Sequence, residues 1–157
     1  MTRVKIVILN WNGRDYLERF LPSLVSRTPG AGIVVADNGS TDDSVRFLER
    51  SYPQVELLRL DRNYGYAEGY NRALAGLNAE YFVLLNSDVE VTEGWLDPLV
   101  RTLDGDGSVA AVSPKIRSFG GPDKFGRRVH RFFGLSFLSR PHTRFDRVRQ
   151  GTVRRSA

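Results

Sequence analysis

The sequence predicts an α/β fold, a mostly parallel sheet with helices on both faces. Three observations predict it. Short apolar runs rich in β-branched residues begin near residues 4, 33, 55, 81 and 109, roughly 25 residues apart. Between them, apolar residues recur at helical spacing. Polar residues gather directly after each of the first four runs, where sheets of this kind bind ligands.

Val4-Lys5-Ile6-Val7-Ile8-Leu9 is almost wholly apolar, as a strand buried on both faces is. Leu17, Phe20, Leu21 and Leu24 then mark a helix, and Pro29-Gly30 ends the unit. Ile33-Val34-Val35-Ala36 reads as a second buried strand. Val45 and Leu48 mark a second helix. Ser40-Thr41-Asp42-Asp43 open it, supplying cap oxygens and negative charge at the positive end of the helix dipole. Val55-Glu56-Leu57-Leu58-Arg59-Leu60 is a third strand, followed by a helix around Tyr70–Leu77. Tyr81-Phe82-Val83-Leu84-Leu85 is a fourth. Thr92-Glu93 then caps a helix carrying Trp95, Leu96, Leu99, Val100 and Leu103. Val109-Ala110-Ala111-Val112 is a fifth, weaker strand.

At 157 residues, 41% apolar and 26% charged, the chain has the make-up of one soluble domain with a real core. It has no cysteine, which excludes a disulfide scaffold, an iron–sulfur site and a cysteine nucleophile. No apolar run approaches the ~20 residues of a membrane span, and no secretory leader is legible, so a cytoplasmic location is expected. The net charge of +5 hides an asymmetry. Residues 1–121 carry a net −3 and residues 122–157 a net +8. The two parts call for separate explanations.

Four strand ends carry Asn10-Trp11-Asn12-Gly13, Asp37-Asn38-Gly39-Ser40, Asp61-Arg62-Asn63-Tyr64-Gly65 and Asn86-Ser87-Asp88. Each stretch alone is also ordinary turn chemistry. Together they put carboxylates and amides along one edge. Asp37 and Asn10 could meet the hydrogen-bonding edge of a nucleotide base. No phosphate-binding P-loop is present, and the Gly65/Gly69 pair follows the wrong strand for a dinucleotide fingerprint. A divalent cation is the remaining means of holding a diphosphate, and Asp88 is the best placed carboxylate for it. The plain alternative for Asp88 is a turn or helix cap.

At these residues the chain resembles the N-terminal half of a family 2 glycosyltransferase with the GT-A nucleotide-sugar-binding fold. The matching motifs are Ile8–Gly13, Val35–Asp42, Asn63–Asn71 and Leu84–Val89, in the family's order, within about residues 3–117. The resemblance implies transfer of a sugar from a nucleotide-diphosphate donor to a glycan or lipid-linked acceptor, with inversion and with Mg²⁺ or Mn²⁺. It implies a donor site built from Asn10, Asn12, Asp37, Asn63, Gly65, Asn71, Asn86 and Ser87. Asp88 would hold the metal, as the last carboxylate of the place where the family carries D-x-D. Here that place reads Asn-Ser-Asp, so Asn86 can bond a ribose hydroxyl but brings no charge to the metal. A lipid-linked acceptor implies peripheral work at the inner face of the cytoplasmic membrane, without an integral segment.

The resembled family places its catalytic base downstream of D-x-D, and this chain has only one acidic residue after Asp123, namely Asp146. No base is assigned, to His130 and His142 included. The basic segment admits three readings: an electrostatic contact with anionic lipid or nucleic acid, a solvated disordered end, or an out-of-frame extension. The third is favoured. Many bacterial members of the resembled family continue with stretches like Gly-Gly-Phe-Ile-Asp and Gly-Tyr-Pro-Phe-Cys-Arg-Gly-Arg. With synonymous codons chosen for these, reading one base early gives Arg127–Arg131 and Gly134–Pro141. The expectation is thus a truncated or frameshifted copy, incomplete at its C-terminal end. Residues 1–121 would be the nucleotide-sugar-binding domain and 122–157 a basic tail without stable packing. The competing classes are a nucleotide-binding remnant without catalysis and a nucleic-acid binder. The second lacks a recognisable stacking module.

Overall fold

The computed structural model describes residues 2–114 and 136–139. Four parallel strands come first: β1 (Val4–Asn10), β2 (Gly32–Asp37), β3 (Glu56–Arg59) and β4 (Tyr81–Leu85). Between them lie α1 (Arg14–Arg27), α2 (Ser44–Ser51) and α3 (Gly65–Ala75), and α4 (Leu96–Gly105) follows β4. A fifth strand, β5 (Ser136–Ser139), pairs antiparallel with β4. The sheet order is β3-β2-β1-β4-β5.

The register explains why both faces are apolar. Ile6 sits opposite Ile33 and Val83, and Ile8 opposite Val35 and Leu85. These residues face one core with Leu17, Leu21 and Leu24 of α1, Leu48 of α2, and Leu99 and Leu103 of α4. Val7, Val34, Ala36 and Leu84 face the other, under Tyr70 and Ala73 of α3. The chain winds from β1 outwards through α1 and α2 on one face. It then crosses back to β4 through α3 on the other, as right-handed crossovers require when the direction reverses. The reversal falls between β1 and β4. Their carboxyl ends therefore diverge into a crevice, the usual ligand position of such sheets.

β3 is the outer strand, and its charges guard it. Lys5 Nζ bonds Glu56 Oε2 at 2.7 Å, and Arg59 pairs with Glu49 of α2.

Several sequence expectations change. The third helix begins at Gly65, five residues before Tyr70. Two glycines lower the helical signal there. At Gly69 a Cβ would lie 2.9 Å from Leu9 Cδ2, so α3 packs directly on β1. Thr92-Glu93 does not cap α4. Gly94 (φ 63°) turns the chain out of helical geometry first, and the helix starts at Leu96. Val109–Val112 forms no strand; Val109 and Val112 pack half-buried against the first core. The fifth strand comes from within the basic segment, opposite in sense to the other four. Over Ser136–Ser139, the expectation that this segment has no stable packing gives way to a ladder with Tyr81–Leu84. The other expectations for residues 122–135 and 140–157, His130, His142 and Asp146 among them, lie outside the described residues.

Candidate functional site

The register that pairs β1 with β2 puts Asn10 beside Asp37 at the last rung. Asn10 is 1% exposed and Asp37 3%. Asn10 Nδ2 donates to Asp37 Oδ1 at 3.1 Å and to Ser40 Oγ at 3.2 Å. Asp37 Oδ2 accepts the Ser40 N–H at 3.0 Å. A buried carboxylate is costly unless its oxygens are met by donors, and these two are. With one donor on each oxygen, the Asp37 carboxylate is held in a fixed orientation at the end of β2 and each oxygen keeps a further lone pair.

Gly13 closes over Asn10. A Cβ there would lie 2.4 Å from Asn10 Oδ1 and 3.8 Å from Ser87 Oγ. The loop after β1 is thus wedged between the Asn10 amide and the loop after β4. Asn10 Oδ1 is buried and finds no hydrogen-bond partner among the described residues.

The loops after β1 and β2 are laced together. Asn12, in the left-handed region at φ 51°, turns its Oδ1 to the backbone N–H groups of Thr41 (2.7 Å) and Asp42 (3.3 Å). Asn12 N donates to Ser40 Oγ at 2.9 Å. Asp42 answers from the other side. Its Oδ1 accepts the Ser44 N–H at 3.0 Å and its Oδ2 the Arg14 N–H at 3.1 Å, so one carboxylate caps α1 and α2 together. Desolvation works against its charge, but the hydrogen bonds from Ser44 and Arg14 outweigh it and hold the carboxyl below the usual aspartate range.

The β1–β4 ladder ends at Ile8 opposite Leu85. Beyond it the Tyr70 hydroxyl enters from α3, accepting the Leu9 N–H at 3.4 Å and donating to the Leu85 carbonyl at 3.1 Å. Burial pushes the Tyr70 phenol well above its ordinary pKa, so it stays a neutral donor. Tyr66 stacks edge-on against Tyr70, centroids 4.9 Å apart, and its hydroxyl reaches Asn86 Oδ1 at 3.5 Å.

The structure therefore brings Asn10, Asn12, Asp37, Asn86 and Ser87 to one edge and ties Asn63 and Gly65 to it through Asn38. Asn71 is half-buried on α3, and no described hydrogen bond joins it to that group. Asp88 is exposed in the turn after β4. Among the described residues no three carboxylate or histidine groups form a ready metal cage. Sequence reasoning named Gly13, Asn38, Ser40 and Asp42 only as strand-end, turn or cap residues and assigned them no part in the site, and Tyr70 was legible only as an apolar helix residue. It also passed over Trp11, whose ring stands 57% exposed at the rim, one of two exposed large apolar side chains among the described residues. The cleft of about 360 Å³ lined by Arg3, Val4, Ala31, Leu96, Asp97 and Asp104 lies at the opposite, amino edge of the sheet.

This edge can be compared with known proteins. The family model for glycosyl transferase family 2 matches residues 5–156. The chain belongs to that family. A curated N-acetylglucosaminyl-diphospho-decaprenol L-rhamnosyltransferase of Mycobacterium tuberculosis is 31% identical over 124 residues, 71% of this chain and 40% of the relative. A pre-mycofactocin glycosyltransferase of the same organism is 32% identical over 120 residues, 73% of this chain and 24% of the relative. The chain thus spans less than half the length of these two relatives. Among solved structures, the Pyrobaculum calidifontis mannosyltransferase PcManGT in complex with GDP-Man and Mn²⁺ superposes with a TM-score of 0.68. It is 22% identical and is covered over 44% of its length by 88% of this chain. Staphylococcus aureus TarS 1–349 in complex with UDP-GlcNAc gives 0.62 at 21% identity, with 76% of this chain and 37% of that one covered. Those likenesses show the shared fold, an α/β arrangement around a mostly parallel sheet, and the expected fold class stands.

Proposed function

We propose that the carboxyl edge of β1, β2 and β4 is the donor site of a sugar transferase, taking a nucleotide-diphosphate sugar. One observation carries the reading: the reversal of strand order sets the locked Asn10–Asp37 pair beside the Asn86-Ser87-Asp88 turn, in a family 2 chain. In this reading the base meets the lone pairs left on the buried Asp37 oxygens, and Trp11 offers the exposed ring on which it can stack. Asn12, Asn63, Gly65 and Asn71 border the nucleoside and sugar, and Asn86 and Ser87 bond the ribose and phosphate side.

The described residues fit a divalent cation that arrives with the diphosphate better than a resident one. Mg²⁺ or Mn²⁺ bound this way needs only one or two carboxylates besides phosphate and water. Asp88, exposed beyond an apolar strand, is the one this edge provides. Such an ion offsets charge on the departing nucleotide diphosphate. The protein's own part is to hold the donor: base against Asp37, sugar in the crevice, diphosphate towards Ser87 and Asp88. No residue of the described set is assigned as base for the acceptor hydroxyl.

The name of the first relative, a decaprenol-linked rhamnosyltransferase, supports a glycan or lipid-linked acceptor. The relatives' names also favour a transferase over a bare nucleotide-binding remnant. Work at the inner membrane face follows from such an acceptor, and no described helix is long and apolar enough to cross a membrane. Inversion at the anomeric carbon completes the proposal. Calorimetric titration with UDP, dTDP and GDP, with and without Mn²⁺, tests the site, and the anomeric configuration of any product, read by NMR, tests the outcome. In that titration Asp37→Ala should weaken the preferred nucleotide by about 1–3 kcal/mol, the scale of one hydrogen bond to a charged group. Equal losses for the nucleotide and for free sugar phosphate would refute base reading by Asp37.

A further inference from the structure

We propose that Asn38 is a positioning residue that fastens the loop after β3 over the nucleoside side of the site. This deepens the donor-site reading and rests on it. Asn38 is 2% exposed and follows the Asp37 that ends β2. Its backbone N–H bonds the Asn10 carbonyl at 2.7 Å, continuing the sheet by one rung. Its side chain then does for β3 what a strand would do. Nδ2 donates to Asn63 Oδ1 at 3.1 Å and to the Gly65 carbonyl at 3.0 Å, and Oδ1 accepts the Tyr64 N–H at 3.0 Å. Asn63 Oδ1 in turn accepts the Gly65 N–H at 2.7 Å. Both donors of the amide are spent, so Asn38 has no N–H left for a ligand.

The loop sits so close that side chains are excluded around it. Gly39 has φ 73°, and a Cβ there would come within 2.6 Å of the Arg62 backbone. A Cβ on Gly69 would lie 3.1 Å from Asn38 Nδ2. Asn38 thus fixes where Asn63 stands, where Gly65 turns at φ 73°, and where α3 begins.

The requirement is for an amide. Aspartate has the same shape but loses both donors, and its charge would face Asn63 Oδ1 and the Gly65 carbonyl. β3 lies at the far edge of the sheet, three strands from β4 and the Asp88 turn. Loosening this loop should therefore weaken nucleoside binding more than diphosphate binding, which it reaches only through Tyr66 and Asn86.

The experiment compares the full chain with Asn38→Asp and Asn38→Ser at a temperature where circular dichroism shows each folded. Hydrogen exchange is followed in peptides covering residues 60–66 and 4–10. Affinities for pyrophosphate and for whichever of UDP, dTDP and GDP the unaltered chain binds best, all with Mn²⁺, are measured by calorimetry. The expected result for Asn38→Asp is at least tenfold faster exchange of the Tyr64 and Gly65 amides with residues 4–10 unchanged. The preferred nucleotide should bind about tenfold more weakly and pyrophosphate should lose clearly less. Asn38→Ser, which keeps one hydroxyl donor, should fall between, and it carries the test if the aspartate variant unfolds. Unchanged exchange in 60–66, or equal losses for the nucleotide and pyrophosphate, would overturn the proposal. If the unaltered chain binds none of the three nucleotides, the donor-site reading fails, and the exchange data alone decide whether Asn38 fastens the loop.

Discussion

Tyr70 shows how much of the site is set by a single atom. Its hydroxyl takes the first two backbone groups left open where the β1–β4 ladder stops, the Leu9 N–H and the Leu85 carbonyl. Tyr70→Phe keeps the ring and strands both groups in a nearly dry place. It should lower stability by about 1–3 kcal/mol in urea unfolding. A variant as stable as the parent would mean water satisfies both groups. Asn10 and Asp37 were readable as a pair before any coordinates, because polar residues ending two apolar strands must face the same edge. Their near-complete burial was not readable. It follows from the register and from Gly13, whose lack of a side chain lets the loop close over Asn10. Tyr70 was hidden for the opposite reason. An aromatic at helical spacing reads as core, which it also is, and nothing in the sequence places its hydroxyl at a ladder's end.

Among the elements, the clearest sequence signals were the buried strands. Val4–Leu9, Ile33–Ala36 and Tyr81–Leu85 fall within β1, β2 and β4 because a strand covered on both faces must be apolar throughout. Val109–Val112 carries the same kind of residues without becoming a strand: only the two valines are half-buried, and both alanines are exposed. The capping prediction for α2 holds in Asp42, and the structure adds the second helix it caps. That double cap has a pH consequence. The fold holds the Asp42 carboxyl below its unfolded value, so its stabilisation is complete above about pH 4, the ordinary aspartate range, and is lost as pH falls through the lower folded value. The melting temperature of Asp42→Asn should lie below the parent's at pH 7, and the gap should close as the pH falls below the ordinary aspartate range of about 4. A gap of constant width would show that the carboxylate's charge is not what the cap uses.

At the scale of the molecule, the winding order is what makes a site. Two crossovers on one face and one on the other place the reversal between β1 and β4, and every loop discussed above opens onto that edge. The repeat of strands and helices made the fold class legible, and the ordered motifs made the family legible. The sheet order was not legible, nor was β5, because an antiparallel strand drawn from a basic stretch leaves no periodic trace. In the proposed site this edge holds a nucleotide diphosphate through a cation at Asp88. Calorimetric titration of UDP, dTDP and GDP into the chain and into Asp88→Asn, each with Mn²⁺ and then with excess chelator, tests this. One nucleotide should bind with Mn²⁺, chelator should abolish the binding, and Asp88→Asn, still folded by circular dichroism, should behave as the parent does in chelator. Nucleotide affinity that is the same with and without the metal, or untouched in Asp88→Asn, would contradict it.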